Sequence, residues 1–592
     1  MAARPERDQG MAMLMVIGIM AVLTVFLLTS LGLALSNAPA SRRDQDAKTA
    51  EAAAEAGVED YLARLDASDS YWTLGNTGDP GNLAFSAAGR PIQGTGGQGA
   101  SYRYQLLSTS TSTARDGRVR LQVTGTSGPN AAGKVSRTIT ATLQPKGFLQ
   151  YIYLSDVEVV DPDLLYSFTY LTYNGQTNWN GNGRYRFVDL GPGVRQACAQ
   201  YHYAGRANPS FTASVSTPVT VWDTWNNVAT GTTFTAGTAS GFSCSEITWF
   251  TGDVVQGPLH SNDALQVSGN PLFTDPKTES SWANPPAPAQ RWWTASAGQP
   301  SLGTPSQPGY WPVYADPLQL PAGNSTLRQY VEPRADDPAN PGPGCYYTGA
   351  TRITFTGTTM KVYSPWTTNA PARCLVVANR GVEQTLSTIP PVIYVDTTAT
   401  CTSGSASGVG YPAAGEWTGG VTTDYDCHRG TAYVSGTVSG QVTVAGLDDV
   451  VITGDVLTQN GTSGTDVIGL VAGNYVWVYH PVDASGSHNN LAAASAPHQI
   501  QAAVLSLRHS FLVQNWTYGA ALSSTGSTAS KLNVVGSIGQ KFRGPVGTNS
   551  GGVPVSGYLK NYVYDSRLNV LQPPYFLKPD SSPWVVTSIA DR

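Results

Sequence analysis

The chain has 592 residues, of which 41% are hydrophobic and 10% aromatic, while only 13% are charged and the formal net charge is −5. These proportions exclude an intrinsically disordered chain, which would lack the apolar side chains needed to form a core. The length predicts more than one domain. After the N-terminal region the sequence has no cluster of lysines and arginines, which argues against an electrostatic nucleic-acid interface.

The first predicted element is the apolar segment of residues 10–36, which lies in a stretch without charge between Asp8 and Arg42. As a helix this segment is about 39 Å long, which is enough to cross a hydrocarbon core of about 30 Å. A cleaved secretory signal, with small residues at 34–36 or 38–40 as its cleavage site, is one interpretation, and a plain signal anchor is another. Arginines on both sides of the segment leave its orientation open.

The helical pattern continues beyond this segment through residues 41–65. Apolar residues recur there at steps of three and four, at Ala47, Ala50, Ala54, Val58, Tyr61, Leu62 and Leu65. This spacing predicts an amphipathic helix with one face against a core. Pro39 predicts a bend or a break where the two helical segments meet.

Three features resemble the N-terminal region of the type IV pilin superfamily, and of PilX-like minor pilins in particular: a polar leader that ends at Gly10, an apolar helix from Met11, and the Ala- and Glu-rich run at 50–57. The resemblance implies that a prepilin peptidase cleaves after Gly10 and leaves Met11 as the new N-terminus. It also implies a single-pass protein of the bacterial cell membrane, with most of the chain outside the cytoplasm. Its implied partners are other pilins and the pilus assembly machinery.

One departure from the family pattern concerns the start of the mature helix. Most major pilins carry a glutamate five residues into the mature chain, where it pairs with the amine of a neighbouring subunit. This sequence has Met15 at that position. Within the resemblance, the difference favours a minor or tip subunit over a major one.

Residues 67–147 predict a small pilin-like head. A stretch rich in Gly, Asn, Asp and Pro, which we expect to be a loop, runs to residue 99. Three segments of alternating polar and apolar residues follow at 102–107, 118–124 and 135–143. Such alternation is typical of half-buried strands, and the turns between them favour an antiparallel arrangement.

Residues 148–592 predict a second, larger β domain. Short strands rich in Val, Ile and Leu are separated there by Gly, Asn or Asp corners, as in the segments 253–269 and 432–457. This pattern is typical of the stacked coils of a parallel β-solenoid. We therefore expect a right-handed parallel β-helix-like domain with a loop-rich insertion at about 281–430. The irregular spacing leaves an antiparallel β-sandwich open.

The second domain also carries a resemblance of its own. Four segments resemble the β-helical exterior domain of bacterial pilin-like membrane proteins, at 257–263, 479–481, 543–547 and 564–576. The expected fold class is therefore mainly β. It consists of a leader at 1–10, a helix at 11–66 that is transmembrane to residue 36 and then amphipathic, a small antiparallel sheet, and the β-helix-like domain.

Six cysteines follow the membrane segment, at Cys198, Cys244, Cys345, Cys374, Cys401 and Cys427. None forms a CxxC pair, so the spacing gives little support for a zinc site. An even number of dispersed cysteines favours disulfides in an oxidising compartment. Sequential pairing of Cys198 with Cys244, Cys345 with Cys374 and Cys401 with Cys427 is one of many connectivities, and free buried thiols are the alternative.

Five polar residues are candidates for chemistry: His260, Asp263, Asp448, Asp449 and His480. β-Helix enzymes that cleave polysaccharides use carboxylates on one face for acid–base catalysis or calcium binding. Adjacent strand residues point to opposite faces, so at most one of the two neighbouring aspartates can face a shared cleft. Turn aspartates usually accept backbone N–H groups, and buried histidines usually make structural hydrogen bonds. We therefore expect no catalytic residue, metal or cofactor.

Exposed aromatic residues are candidates for surface binding. Trp292, Trp293 and Trp311 lie in the proline-rich part of the predicted insertion, where their rings could contact a glycan or another protein. Packing against the side of the β domain is the alternative.

Two functions remain from the sequence. The first is a non-enzymatic minor subunit, at the tip or elsewhere, of a bacterial type IV pilus or a related secretion or DNA-uptake filament, with the β domain exposed for adhesion or capping. The second is a membrane-anchored β-helix enzyme that acts on cell-envelope polysaccharide. Cleavage after Gly10 distinguishes the first from the second.

Overall fold

The computed structural model describes most of the chain, with gaps that fall mainly between residues 166 and 341. The described residues are 9–93, 99–127, 134–165, 172–173, 176–177, 185–187, 198–201, 211–215, 219–223, 228–234, 237–242, 247–275, 278–281, 293–294, 301–302, 313–331, 342–402, 404–491, 496–522, 530–550, 553–579 and 582–591.

Helices are few outside the N-terminal region of the described chain. The three α-helices are α1 (Gln9–Ala67), α2 (Ser110–Asp116) and α3 (Pro162–Leu165). Single 3₁₀ turns occur at Tyr71–Leu74, Leu83–Phe85, Phe148–Gln150, Ser325–Tyr330, Val377–Asn379 and Ser566–Asn569. The helix α1 is continuous through Pro39, so the predicted break does not occur there. Proline removes only one backbone N–H, and the helix-forming residues on both sides maintain the remaining hydrogen bonds.

Most elements are short strands, numbered in chain order. The strands up to residue 242 are β1 (Arg90–Pro91), β2 (Ser101–Leu106), β3 (Val119–Ser127), β4 (Val135–Pro145), β5 (Tyr153–Val157), β6 (Thr172–Tyr173), β7 (Gln176–Thr177), β8 (Tyr185–Phe187), β9 (Phe211–Val215), β10 (Val219–Asp223), β11 (Val228–Phe234) and β12 (Gly237–Phe242). Those up to residue 396 are β13 (Trp249–Phe250), β14 (Val254–Gln256), β15 (Leu259–Ser261), β16 (Gln266–Ser268), β17 (Leu272–Phe273), β18 (Thr278–Ser280), β19 (Trp293–Thr294), β20 (Ser301–Leu302), β21 (Val313–Tyr314), β22 (Cys345–Thr348), β23 (Thr351–Gly357), β24 (Thr359–Tyr363), β25 (Gln384–Leu386) and β26 (Val392–Asp396). The remaining strands are β27 (Ala432–Val438), β28 (Gln441–Gly446), β29 (Val450–Thr458), β30 (Val467–Ala472), β31 (Val476–Val478), β32 (Gln499–Ser506), β33 (Phe511–Val513), β34 (Lys531–Phe542), β35 (Gly547–Ser550), β36 (Val553–Gly557), β37 (Leu559–Tyr564) and β38 (Trp584–Asp591).

The chain divides into two compact units. The small unit contains residues 1–113, 118–144 and 584–592, and the large unit contains residues 114–117 and 145–583. This division confirms the predicted fold class: a mainly β chain with an N-terminal helix, a small antiparallel sheet and a large strand-rich domain.

The small unit packs the second half of α1 on a five-stranded sheet with the order β1-β2-β3-β4-β38. The pairs β2–β3 and β3–β4 are antiparallel, with Tyr104 opposite Val123 and Val123 opposite Ile139. The helix contributes Ala54, Val58, Tyr61 and Leu65 to the core of this unit, which are four of the apolar positions predicted from the spacing. The three predicted strands are therefore present and paired as expected.

The fifth strand of this sheet comes from the end of the described chain. The strand β38 lies beside β4, and the Thr587 hydroxyl donates to the backbone oxygen of Thr142 at 3.1 Å. The sequence-based boundary placed residues 584–592 in the second domain, whereas the structure places them in the small unit. The buried Trp584 explains this position, because its ring belongs to the core beneath the sheet.

Two long parallel ladders form most of the large unit. In one ladder β22, β26, β28, β30, β32 and β34 pair in parallel, each with the next. In the other, β23, β27, β29, β31 and β33 do the same. Each strand pairs in parallel with the next strand of its own ladder, and at least one strand of the other ladder lies between the two in the chain. The strands of a β-sandwich, in contrast, pair antiparallel. Buried valines and isoleucines stack between successive strands, as Val434, Ile452 and Val478 do.

The first strand of the large unit, β5, lies in the middle of the paired strands and not at one end. The first part of β34 pairs with β37 and its second part with β5. Beyond them β37 pairs with β14 and β5 with β15, and the ladder then continues through β17 and β18 to β20 and β21. The strands nearest to the start and to the end of the unit are therefore neighbours, and residues 315–344 connect one end of the ladder to the other.

The connecting segment follows the outer side of the ladder over its described residues. The side-chain amide of Asn262 bonds to both backbone groups of Leu318 at 2.8 Å. Further along, Asn324 donates to the backbone oxygen of Gly446 at 2.6 Å, and Val331 packs in the same cluster as Val392. The sequence-based insertion of residues 281–430 is thus only partly an insertion, because β22, β23 and β26 lie within that range and belong to the ladders.

Candidate functional site

The first half of α1 is an apolar helix that no other described part of the chain covers. Residues Met13–Gly32 have a mean hydropathy of 2.6, and none of this segment is buried. It is the one helix among the described residues long and apolar enough to cross a membrane. Its hydroxyl groups bond to the helix itself, since Thr24 donates to the oxygen of Met20 at 2.6 Å and Thr29 to that of Val25 at 2.8 Å. Such internal pairing is what a hydrocarbon environment requires of polar groups.

The predicted processing residues lie at the start of this helix. Gly10 and Met11 are in the first turns of α1, which begins at Gln9. Met15 has a side chain that is 73% exposed. No described part of the chain therefore encloses this side chain.

A carboxylate fixes the second half of α1 to the sheet of the small unit. The Asp60 carboxylate accepts hydrogen bonds from the Tyr104 hydroxyl at 3.1 Å, from Arg64 at 3.1 Å and from Arg90 at 3.2 Å. Two of these donors, Tyr104 and Arg90, come from strands β2 and β1. The helix is therefore held by polar contacts at its edge as well as by its apolar face.

His260 and Asp263 do not bond to each other in the described contacts. The His260 ring lies between two partners, with Nδ1 3.2 Å from Glu279 Oε2 and Nε2 2.8 Å from Asn262 Oδ1. Asp263 instead accepts the backbone N–H of Glu158 at 3.1 Å. Burial favours the neutral form of Glu279, but the hydrogen bonds from His260 and Tyr151 outweigh it and lower the pKa of Glu279 to about 2. The group is a buried polar network, with the partly exposed Lys146 3.7 Å from Glu279 Oε2 at its edge.

Asp448 and Asp449 have different partners, but both lie in the bend between β28 and β29 and not in a strand, so strand alternation does not account for this. Asp448 accepts from Arg429 Nη2 at 3.0 Å and from the backbone N–H of Gly430 at 2.9 Å. Asp449 accepts from the Thr423 hydroxyl at 2.9 Å. Burial raises the pKa of Asp449 although Arg429 opposes the shift. Both carboxylates are buried, so they do not line a shared open cleft.

His480 is also held by structural contacts. Its Nδ1 lies 3.0 Å from the backbone oxygen of Gln514, and its Nε2 lies 2.9 Å from Asn490 Oδ1. Burial lowers the pKa of His480, although both hydrogen bonds oppose the shift. The ring joins three chain segments and has no exposed face.

Three aromatic residues that the sequence did not single out form a surface cluster near His480. We call Trp417, His488 and Tyr518 the aromatic surface cluster. The rings of Trp417 and His488 are stacked, with centroids 3.7 Å apart and an angle of 16° between their planes. The Tyr518 ring meets both edge-on, at 5.1 Å from Trp417 and 5.0 Å from His488. Tyr518 is 36% exposed, and the other two rings are partly exposed.

Sequence reasoning missed this cluster because its members are far apart in the chain. They come from three loops, and the parallel ladders bring those loops to the same side of the large unit. Trp417 lies beside Gly415, Gly419 and Gly420, and a tryptophan among glycines is the one local signal of an accessible ring.

A partly buried carboxyl group, that of Glu416, lies directly before Trp417 in the chain. The Glu416 carboxylate accepts hydrogen bonds from the hydroxyl groups of Tyr425 and Tyr479, the latter at 2.6 Å. Its Oε2 also accepts the backbone N–H of Ala413 at 2.8 Å. Burial raises the pKa of Glu416, and the hydrogen bonds from Tyr425 and Tyr479 only partly oppose this. This network fixes the loop that carries Trp417.

Disulfides hold two loops of the large unit. Cys345 bonds to Cys374 and Cys401 bonds to Cys427, which are two of the three sequential pairs. Cys198 is also disulfide-bonded, and Cys244 lies outside the described residues. Within the described chain, the one group of possible metal ligands consists of Cys401, Asp426 and Cys427. Because both sulfurs of that group are in a disulfide, they are not available as thiolate ligands.

The predicted surface tryptophans lie largely outside the described part of the chain. Trp292 and Trp311 are not among the described residues, and of Trp293 only the backbone is described, in the short strand β19. Their role in surface binding stays a prediction.

Comparisons with known proteins give one structural match. No protein-family model matches the chain, and no curated protein matches it. Among solved structures, the competence-associated pilin ComZ from Thermus thermophilus matches with 12% sequence identity and a TM-score of 0.26, over 92% of this chain and 97% of that chain. These values are too low for the match to establish a shared fold or function.

Proposed function

We propose that the chain is a non-enzymatic, pilin-like minor subunit of a bacterial type IV pilus or of a related secretion or DNA-uptake filament. One observation carries the proposal. A single helix of 59 residues is apolar and uncovered in its first half, and its second half packs on a small antiparallel sheet. That is the plan implied by the pilin resemblance of residues 10–57.

The uncovered half of α1 needs an apolar environment. Large side chains such as Phe26 and Leu27 are 69% and 68% exposed, and water would disfavour so continuous an apolar surface. Before assembly the hydrocarbon core of the membrane would cover this surface. In a filament, the apolar helices of neighbouring subunits would replace the lipid. The presence of Met15 in place of a glutamate supports a minor or tip position.

The large unit is proposed to be a β-helix that faces the cell exterior. Parallel pairings follow one another from β22 at one end, through β34 and β5 in the middle, to β21 at the other end. This series supports coils stacked along one axis. The disulfides Cys345–Cys374 and Cys401–Cys427 support an oxidising compartment for this unit. A large rigid domain in that position suits capping of the filament or adhesion to a surface glycan or protein.

The non-enzymatic role rests on the contacts of the candidate catalytic residues. His260, Asp448 and Asp449 each bond to fixed side chains or backbone groups in the interior. Their burial supports structural roles, in which polar groups satisfy one another between coils. A polysaccharide-cleaving enzyme is the second candidate from the sequence, and no described carboxylate pair favours it.

Cleavage of the leader tests the pilin assignment. We expect the intact mass of the full chain, produced together with a prepilin peptidase, to decrease by the mass of residues 1–10. Gly10→Val should block this cleavage. Gly18→Val is the matched control, because it changes a glycine of the same helix that has open space around it. The cleaved protein should also be found in surface filaments that have been sheared from cells.

Retention of residues 1–10 in the presence of the peptidase would contradict the proposal. So would equal cleavage of the wild type and of Gly10→Val. Cleaved protein that stays entirely in the membrane fraction would limit the role to a membrane component and remove the filament from the proposal.

A further inference from the structure

We infer that the aromatic surface cluster is a binding site for a neutral saccharide. The inference rests on the proposed exposure of the large unit at the cell surface, and it adds a ligand class and a site to the adhesive role. The three rings of Trp417, His488 and Tyr518 pack on one another, and each is at least partly exposed to solvent. Sugar rings offer flat sets of C–H groups that pack on aromatic rings of this kind.

The cluster is built on loops that are fixed before any ligand arrives. His488 and Asn515 have φ angles of 45° and 48°, a region that non-glycine residues rarely adopt. These are two of the three such residues described in the chain, and both belong to loops of the cluster. Strained backbone of this kind persists only where surrounding contacts enforce it, and it concentrates at binding sites.

Hydrogen bonds within and between the loops enforce this geometry. The backbone N–H of Trp417 donates to the oxygen of Val482 at 2.8 Å, which joins two of the three loops. The Asp483 carboxylate accepts the N–H groups of Ser485 at 3.1 Å and of Asn489 at 3.0 Å, on either side of His488. A site that is already ordered loses little conformational entropy when a ligand binds.

Glycine is required where the loop passes the indole ring. A Cβ atom at Gly420 would lie 2.7 Å from Trp417 Cζ3, and one at Gly419 would lie 2.7 Å from its Nε1. These glycines cover part of Trp417, and His488 stacks on the ring as well. Trp417 is therefore the fixed base of the cluster, and Tyr518 is its most exposed member. A ligand would contact Tyr518 first, together with the free edges of the other rings.

The charges of the three loops select a neutral ligand. The segments 411–421, 481–491 and 514–522 contain no lysine or arginine, and their carboxylates are those of Glu416 and Asp483. An acidic polysaccharide or a nucleic acid would meet a negative charge at Asp483 without a compensating cation from these loops. The loops also carry uncharged polar side chains at Ser485, Asn489 and Asn490, and groups of this kind suit the hydroxyls of a neutral sugar.

Binding of defined polysaccharides to the full-length protein in detergent tests the inference. The probes are neutral oligosaccharides of glucose and of N-acetylglucosamine, with alginate as an acidic probe, and the readouts are calorimetry and tryptophan fluorescence. We expect at least one neutral probe to bind more tightly than alginate. Tyr518→Ala should weaken that binding at least tenfold, whereas Tyr518→Phe should keep it within about threefold, because the ring remains.

Tyr314→Ala is the matched control, since Tyr314 is a tyrosine of the same unit that is 47% exposed, somewhat more than Tyr518, and lies outside the cluster. It should leave affinity unchanged. Thermal unfolding of each variant shows whether the fold is retained, and Tyr518→Phe keeps the test decisive if Tyr518→Ala is unstable. No binding of any neutral probe, tighter binding of alginate, or equal loss in Tyr314→Ala and Tyr518→Ala would overturn the inference.

The outcome is separable from that of the proposed function. A chain that keeps its leader but binds a neutral saccharide through Tyr518 would lose the pilin assignment and keep the site. A chain that is cleaved after Gly10 and enters filaments, but binds no neutral saccharide, would keep the proposed function and lose the site.

Discussion

Arg543 places a positive charge in the interior of the large unit, where none of its surface is exposed. Its Nη1 donates to Glu158 Oε2 at 2.7 Å and to the backbone oxygen of Ile247 at 3.0 Å. The guanidinium carbon lies 4.1 Å from the centre of the Trp249 ring. Glu158 is held in turn by the Tyr153 hydroxyl at 3.1 Å. The two charges thus depend on each other, because neither has access to water.

Removing the charge of Arg543 alone should lower the free energy of unfolding far more than removing the charges of both Arg543 and Glu158. Arg543→Met leaves the Glu158 carboxylate buried without its cation, and we expect the free energy of unfolding to fall by about 3–5 kcal/mol. Glu158→Gln combined with Arg543→Met should recover a large part of that loss, as measured by urea unfolding. Arg352→Met is the control, because Arg352 pairs with Glu383 at 3.2 Å where about a third of each side chain is exposed, and a solvent-accessible pair contributes about 0–1 kcal/mol. Equal effects of the two arginine changes would contradict this account.

Glu416 makes the stability of the large unit depend on pH. Burial raises the pKa of Glu416 in the folded state, so the folded protein holds the proton more tightly than the unfolded chain does. The resulting stabilisation is complete below the pKa of the unfolded chain, and it is lost as the pH rises through the folded pKa. Glu416→Gln carries no charge at any pH and keeps an oxygen for the tyrosine hydroxyls.

We therefore expect the wild type to lose stability relative to Glu416→Gln as the pH rises from about 4 to 8. The difference in thermal midpoint between the two proteins, measured at several pH values, checks this. Glu383→Gln, which removes a partly exposed carboxylate, should show no such loss. A difference that stays constant with pH would mean that Glu416 is not the group responsible.

At the scale of elements, the fit between α1 and its sheet depends on glycine. A Cβ atom at Gly57 would lie 2.6 Å from Val123 Cγ1 and 2.9 Å from Tyr102 Cδ2. Both contacts are to side chains of the sheet core, which is closely packed. The glycine therefore sets the distance between the helix and strands β2 and β3.

Gly57→Ala should loosen the small unit even though alanine favours helix. Overpacking costs about 1–3 kcal/mol, and the gain in helix propensity of about 1 kcal/mol offsets only part of it. Hydrogen exchange of the β2 and β3 amides should become several-fold faster. Gly18→Ala is the matched change in the uncovered half of the same helix, where no atom lies within 4 Å, and it should leave exchange in the sheet unaltered. Similar exchange in the two variants would show that Gly57 does not set this packing.

The elements of the small unit were predictable because their patterns are local. The apolar steps of three and four indicated the buried face of α1, and the alternation in the segments 102–107, 118–124 and 135–143 indicated its three main strands. The helix α2 between the first two strands was not predicted, since Ser110–Asp116 has no apolar face to reveal it. The local sequence pattern also did not predict that α1 would continue through Pro39.

The candidate site was less predictable than the elements. Asp448 and Asp449 have different partners, but they lie in the bend between β28 and β29, so the expected strand alternation is not the reason. The aromatic surface cluster depends on the register of the parallel ladders, which brings together loops separated by dozens of residues. That register comes from the pairing of distant strands, which no short stretch of the sequence shows. The three residues of the cluster were therefore not predicted.

The order of strands in the large unit is a property of the whole molecule. The start of the unit, β5, lies between strands β34 and β15 from elsewhere in the chain, so the ladder is completed only when both halves are present. The same arrangement places the two ends of the unit side by side. The backbone N–H of Lys146 donates to the oxygen of Pro583 at 2.8 Å, and the large unit is thus an insertion between β4 and β38.

This topology predicts that the small unit can fold without residues 146–583. Because the chain leaves β4 and returns to β38 at adjacent points, an Asn-Gly turn should join Pro145 to Trp584 without strain. The shortened chain should keep the five-stranded sheet, with amides in β3 and β4 protected from hydrogen exchange, and its leader should still be cleaved.

The matched control for this deletion is the same shortened chain with Trp584→Ala. Trp584 donates to Asp69 Oδ1 at 2.8 Å, and its ring fills the core of the sheet. Its removal should therefore cost about 3–5 kcal/mol and abolish the protection of the β3 and β4 amides. If the deletion alone abolishes that protection, the small unit depends on the large one and the insertion is not independent.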